Sequence, residues 1–172
     1  MIRLASENDL ESILAIYNDA ILNTTAVYTY HAKTLEERQL WFRKKHEEGY
    51  PLWVYEYEGN VVGYATYGSF RSSPAYKYTI EHSVYVHKEF RKQGFGRALL
   101  KTIIEDANAK GYATIVAGID AANTKSIHLH ETLGFVSAGL IHKAGYKFGQ
   151  WLDLAFYQLM LDGPDNPREE DR

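Results

Sequence analysis

The chain has 172 residues, 45% of them hydrophobic, with 19 basic and 22 acidic side chains for a formal charge of -3. That is enough apolar material for one domain with a sizeable core, and the slightly acidic balance argues against a generic nucleic-acid or anionic-membrane surface. Cysteine is absent, which removes disulfide and thiolate chemistry and suits a reducing cytoplasm, while no apolar run approaches the roughly 20 residues of a bilayer span and residues 1–10 lack the apolar core of a secretion signal.

Residues 1–5 read as an opening strand, and Ser6 as the cap of a helix whose Leu10, Ile13, Leu14, Tyr17 and Ile21 fall at helical spacing. Residues 23–30 break that period and are rich in hydroxyls. Thr34-Leu35-Glu36-Glu37 is a capping box for a second helix that carries Leu35, Trp41 and Phe42 toward the core. Two strands, residues 52–57 and 61–70, form a hairpin about Glu58-Gly59-Asn60. A loop from Arg71 to Pro74 leads into a third strand over residues 76–86. A helix over 93–110 buries Phe95, Leu99, Ile103 and Ala107 and stops at Gly111. A strand over 112–119, a short helix over 123–133 and two closing strands over 135–142 and 151–161 complete the pattern. The expectation is a mixed α/β fold of one domain over 1–161, its strand–loop–helix–strand unit requiring a parallel crossover. The Gly/Pro-rich, charged residues 162–172 read as a disordered tail.

The stretch from Thr79 to Leu100 organises the rest. A strand feeds Arg91-Lys92-Gln93-Gly94-Phe95-Gly96, a glycine-containing loop at a helix start. First-turn N–H groups lack intrahelical partners and the helix dipole favours an anion there, so this is a phosphate site flanked by cations. Within the strand, Glu81, Ser83 and Tyr85 share one face. A partly buried carboxylate such as Glu81 can take a proton from an amine; the plain alternative is a Glu in a salt bridge or on an exposed face. His82 lies on the opposite face as a packing or surface residue, with substrate contact as the other reading. His128 and His130 point to different helix faces, and His82 and His87 to opposite strand faces, so no metal site is expected.

The loop fits the (Arg/Gln)-x-x-Gly-x-(Gly/Ala) pattern of the GNAT superfamily of N-acetyltransferases. Thr79-Ile80-Glu81-His82-Ser83-Val84-Tyr85-Val86 resembles the acceptor strand of its phosphinothricin and methionine-sulfone/sulfoximine acetyltransferase group. Leu129-His130-Glu131-Thr132-Leu133-Gly134-Phe135 and Ala144-Gly145-Tyr146-Lys147-Phe148-Gly149-Gln150-Trp151-Leu152-Asp153 resemble its C-terminal signature. The resemblance covers roughly residues 2–161. It implies a GNAT fold with a central mixed, strongly twisted sheet of about seven strands and about four helices. It also implies acetyl-CoA as co-substrate and direct acetylation, in a ternary complex, of the α-amine of a small L-amino-acid-like molecule.

By the same resemblance Glu81 is the base and His130 its helper. Lys92, Gln93, Gly94, Phe95, Gly96 and Arg97 hold the pyrophosphate, with Lys125 and Ser126 as further phosphate contacts. The backbone of Val84, Tyr85 and Val86 takes the pantetheine, and Asn123 caps its helix and contacts the cofactor. Tyr28, Arg71, Ser72, Ser73, Lys77, His82 and Ser83 join Glu81 at the acceptor, Arg71 and Lys77 clamping its carboxylate, while Tyr146 and Trp151 close the cleft. Val27-Tyr28 departs from the group's usual aromatic–Asn pair, which leaves side-chain preference open, and Lys77 stands where the group has an Arg, which weakens or relocates the carboxylate clamp. A homodimer in the cytoplasm, without nucleic-acid or membrane partners, is expected. Alternatives are acetylation of a protein N-terminus or lysine, and a non-catalytic acyl-CoA sensor.

Overall fold

A computed structural model describes residues 1–171. It contains strands β1 (Ile2–Leu4), β2 (Leu52–Tyr57), β3 (Asn60–Ser69), β4 (Thr79–Val86), β5 (Thr114–Asp120), β6 (Val136–Lys147) and β7 (Gln150–Met160). Its helices are α1 (Leu10–Asn23), α2 (Leu35–Glu47), α3 (Phe95–Ala109) and α4 (Thr124–Thr132). The strands form one sheet in the order β1-β2-β3-β4-β5-β7-β6. This is the expected mixed α/β architecture of seven strands and four helices.

Two compact units divide the chain, the first made of Met1–Tyr67 and Ser83–Leu100 and the second of Gly68–His82 and the residues from Lys101 on. In the first, Leu10, Ile13, Ile16, Leu52, Val54 and Tyr64 make a core, with Tyr17, Leu35, Trp41, Phe42 and Tyr85 packed against it. The buried stripe of α1 runs through Ile16 and Ala20, where the sequence pattern points to Leu14 and Tyr17, both only half-buried. Ser6 caps a 3-10 turn over Glu7–Asp9 ahead of α1, its N–H donating to Asp9 Oδ2 at 2.7 Å. The capping box of α2 forms as read: Glu37 N–H donates to Thr34 Oγ1, and Thr34 N–H to Glu37 Oε2. Glu58 and Gly59 both have positive φ (50° and 79°) in the β2–β3 turn, the geometry whose twist matches that of a hairpin.

In the second unit Ile80, Ile103, Ala107, Ile115, Ala117, Phe135 and Leu152 are buried. Strand β5 pairs parallel to β4 through Thr79–Thr114, Ile80–Ile115 and Glu81–Val116, and antiparallel to β7. Strand β4 starts at Thr79, later than the pattern suggests, because Pro74–Tyr76 turn as a 3-10 helix with proline at its start. Strand β6 runs to Lys147, past the expected end at 142, because register shifts between Ser137 and Gly139 and between Ile141 and Gly145 let pairing with β7 continue. Residues 162–171, read from the sequence as a disordered tail, form no helix or strand. They do make specific contacts: Asp162 N–H donates to Asn108 Oδ1 at 3.0 Å, and Lys77 Nζ donates to the carbonyls of Arg168 and Glu169 at 2.7 and 2.6 Å.

Candidate active site

Parallel pairing puts Glu81 opposite Val116, with Gly118 two residues further along β5. A β-carbon at Gly118 would sit 3.2 Å from Glu81 Oε1, so the missing side chain is the space the carboxylate uses. Gly118 is a candidate site residue that the sequence did not single out; its signal was a lone glycine inside a strand pattern, which marks close approach. Burial pushes the Glu81 carboxyl above the usual carboxylate range, and the positive charge of Arg71 pulls against that shift. Arg71 is exposed, its guanidinium lying over the Phe70 ring at 4.2 Å with Nη1 donating to Phe70 O at 3.0 Å. Ser72 and Ser73 are exposed beside it. Lys77 is engaged by the two carbonyls of the C-terminal segment, and its ammonium also lies 5.6 Å from the centre of the Tyr78 ring.

On the other face of β4, His82 Nε2 and His130 Nε2 are 3.0 Å apart. The rings are nearly parallel, at 7°, with centroids 5.1 Å apart; with so short an N–N distance they meet edge to edge. His130 Nδ1 lies 2.6 Å from Ser126 O. A carbonyl only accepts, so Nδ1 carries a proton, neutral His130 accepts at Nε2, and His82 donates from its own Nε2. That leaves His82 Nδ1 as a buried acceptor without a partner. Burial pushes His82 down to about 3, with His130 as the second cause, and burial also lowers His130 against the pull of the Ser126 carbonyl. Phe135 stands edge-on to both rings. The structure thus joins His130 to His82, two residues the sequence assigned separate roles.

In the first unit, β4 continues into the glycine loop. The Phe95 side chain is buried against Tyr55 and Tyr57 at 4.5 and 5.2 Å between centroids, so that residue offers a ligand only its backbone. Lys92 and Gly94 have positive φ (65° and 86°), and a β-carbon on Gly94 would meet nothing within 4 Å. Alternation of this kind turns successive N–H groups into a concavity for an anion, directly before the N-terminus of α3. Arg91 fixes the loop, with Nε donating to Val86 O at 3.2 Å and Nη2 pairing with Asp19 at 3.3 Å. Lys92 and Arg97 are exposed. Val84, Tyr85 and Val86 are half-buried, Tyr85 standing edge-on to Tyr17 at 5.7 Å, and Ser83 is half-buried on the Glu81 face. Tyr28 is exposed in the connection between α1 and α2. Asn123 caps α4, its Oδ1 accepting from Ser126 N–H at 3.1 Å.

A family model described as acetyltransferase (GNAT) domain matches residues 2–156. An L-methionine sulfoximine/L-methionine sulfone acetyltransferase of Pseudomonas paraeruginosa is 47% identical over 94% of each chain. An L-amino acid N-acyltransferase of Escherichia coli is 43% identical over 96% of each. Among solved structures, an N-acetyltransferase from Staphylococcus aureus matches with TM-score 0.93 and 56% identity over 94% of this chain and 98% of that one. A GNAT superfamily phosphinothricin acetyltransferase from Sinorhizobium meliloti in complex with acetyl-CoA matches with TM-score 0.93 and 37% identity over 99% and 93%. A ribosomal-protein-alanine N-acetyltransferase from Brucella melitensis matches with TM-score 0.92 and 45% identity over 94% and 99%.

The histidine pair makes a stability prediction. Both folded-state values lie below the ordinary 6.5, so below that pH the unfolded chain binds protons that the folded chain refuses. Stability is therefore full above about pH 6.5 and declines as the pH falls toward 5, by up to about 1.4 kcal/mol per pH unit for each histidine. In His82→Gln, denaturant titrations over this window should show the slope reduced by roughly one proton; an unchanged slope would rule out a neutral buried His82.

Proposed function

The chain belongs to the GNAT acetyltransferase family, and from that premise we propose that it transfers the acetyl group of acetyl-CoA directly to the α-amine of a small L-amino acid of the methionine sulfone, methionine sulfoximine or phosphinothricin type. One observation carries the proposal: Glu81 is half-buried over Gly118, its carboxyl raised by burial, with the cation of Arg71 acting on it. An amine acceptor is largely ammonium at neutral pH. A carboxylate whose pKa has moved toward the working pH is suited to take its proton, directly or through one water. The nitrogen then bonds to the acetyl carbonyl carbon as the carbon–sulfur bond breaks, and the second proton that the nitrogen loses on becoming an amide goes to the sulfur, so coenzyme A leaves as the thiol.

The chain's own groups divide the remaining tasks. Backbone N–H groups from Lys92 to Arg97 hold the pyrophosphate, and the β4 backbone at Val84, Tyr85 and Val86 pairs with the pantetheine. Asn123 spends its carbonyl oxygen on the α4 cap, which leaves its amide nitrogen to offer the cofactor. Arg71 takes the acceptor carboxylate, since Lys77 holds the C-terminal segment, and Ser72, Ser73, Ser83 and Tyr28 shape the acceptor's surroundings. His130, with both ring nitrogens engaged, acts as a positioning residue through His82, the neighbour of the base on β4. Use of acetyl-CoA as donor suits a cytoplasmic enzyme. The Brucella match favours an N-terminal peptide as the second reading of the acceptor.

The decisive assay is thiol release from acetyl-CoA with L-methionine sulfone, L-methionine sulfoximine, phosphinothricin, common amino acids and an alanine-started peptide. Turnover is expected on the first three, with kcat falling about 10²–10⁴-fold in Glu81→Gln; turnover on the peptide alone would replace the small-molecule reading with the second one. Arg71 lowers the pKa of Glu81, so Arg71→Met should move the acid limb of kcat to higher pH and raise the amino-acid KM. A limb that stays in place would separate Arg71 from the base.

We also propose a homodimer that uses the β6–β7 hairpin. Leu140, Ile141, Tyr146, Phe148 and Trp151 are all exposed there, Trp151 by 60%, and a cluster of this kind is costly in water unless a partner covers it. Sedimentation should give a dimer for the native chain and a monomer for Trp151→Asp; a native monomer at micromolar concentration would refute the assembly.

A further inference from the structure

The first unit holds a buried cation that nothing in the acetyl-transfer reading uses. Arg38, in the first turn of α2, is only 5% exposed. Its guanidinium lies 4.0 Å from the centre of the Tyr17 ring and 4.3 Å from that of Trp41. Two aromatic faces fix its plane, yet among the described residues no carboxylate pairs with it. Glu37, its neighbour in sequence, is committed elsewhere: one oxygen accepts from Thr34 N–H at 2.7 Å and the other lies 3.4 Å from Lys33 Nζ. Arg38 Nε is buried with no hydrogen-bond partner, and so is the Tyr64 hydroxyl, whose ring lies 6.4 Å from Trp41 in the same aromatic cluster. A charged group withdrawn from water is ordinarily paired, and an unpaired one calls for an explanation.

A pocket of about 310 Å³ opens at this point, lined by Tyr17, Lys33, Glu37, Arg38 and Trp41. We infer that this pocket is a binding site for a small carboxylate, held by the Arg38 guanidinium between the Tyr17 and Trp41 rings. The volume suits a small molecule. Lys33, Arg38 and Glu37 sum to one positive charge, which suits a monoanion better than a di- or triphosphate. A guanidinium whose plane is fixed presents its paired N–H donors to the two oxygens of a carboxylate, and the aromatic walls accept the apolar body that the carboxylate carries. The carboxylate comes either from an amino acid such as the acceptor or from a separate organic acid.

The test is direct binding to the full chain, so it does not depend on the acetyl-transfer reading. Nitrogen-15 NMR follows the Arg38 Nε–H and the Trp41 indole N–H during titrations with acetate, with L-methionine sulfone and with L-methionine sulfone carboxamide. Saturable shifts are expected with the carboxylates, and at least 10-fold weaker ones with the carboxamide. An amino acid at least 10-fold tighter than acetate identifies the amino-acid source; equal affinities identify a free organic acid. Arg38→Met should abolish the Trp41 shift and Arg38→Lys should weaken binding about 10-fold. No saturable shift with either carboxylate, equal binding of the carboxamide, or binding that survives Arg38→Met would each overturn the site. The comparison of carboxylate with carboxamide uses the native chain alone, so it stands even if a variant fails to fold.

Discussion

Three parallel residue pairs, from Thr79–Thr114 to Glu81–Val116, constrain everything that follows from them. A parallel neighbour cannot be reached by a hairpin; the chain must leave the end of β4, cross, and return in the same direction. Helix α3 is that crossover, so its N-terminus must open within a few residues of the C-terminal end of β4. That necessity puts an anion-attracting helix start on the same continuous segment as Glu81. The loop then needs only residues that tolerate positive φ, which Lys92 and Gly94 supply. Strand β4 pairs with β5 through those three residues and runs on to Val86. Backbone polar groups seek partners wherever water is excluded, and this is why a strand can serve as a template for an extended ligand chain.

Much of this was legible in the sequence because it is local. A capping box, a hairpin turn and a strand running into a glycine loop are short-range patterns whose chemistry hardly depends on distant residues, and Thr34–Glu37 and Glu58–Gly59 form as their residue types dictate. The face shared by Glu81, Ser83 and Tyr85 follows from the two-residue period of a strand. Less visible was what faces those residues from elsewhere in the chain. Gly118 makes room for a carboxylate that lies 37 positions earlier, and no periodicity links the two. His82 and His130 were read as separate side chains because their contact is a property of packing.

Arg38 shows a different kind of miss. Arg38, Trp41, Phe42 and Lys45 fall at i, i+3, i+4 and i+7, so helical spacing alone places both cations on the apolar face. A habit of sending Arg and Lys to solvent hides the pattern. Lys45 bears the consequence: burial lowers it to about 8, Arg38 adds to the fall, and its ammonium donates to Tyr67 O at 2.7 Å.

The buried polar groups form a graded series that separates structure from function. Arg3 and Asp9 form a bidentate pair at 2.8 and 2.9 Å, with Glu56 on the remaining Nε and Ser6 donating to Asp9. Arg3 and Ser6 hold the Asp9 carboxyl below its usual range. Each group there answers another, so the cluster is complete as architecture. The histidine pair is satisfied at three of its four nitrogens, which is enough to hold two neutral rings in one tautomeric order and leaves a single acceptor unmatched. At Arg38 the aromatic faces offset part of the desolvation of the cation, but they supply no acceptor for its N–H groups. Nor do they cancel its charge. A fold selected only for stability could place an apolar side chain there at little cost, since replacing buried ionic groups with well-packed apolar ones is often neutral or favourable. A guanidinium kept rigid, buried and without an acid among the described residues is better explained as one half of an ion pair whose other half arrives from solution.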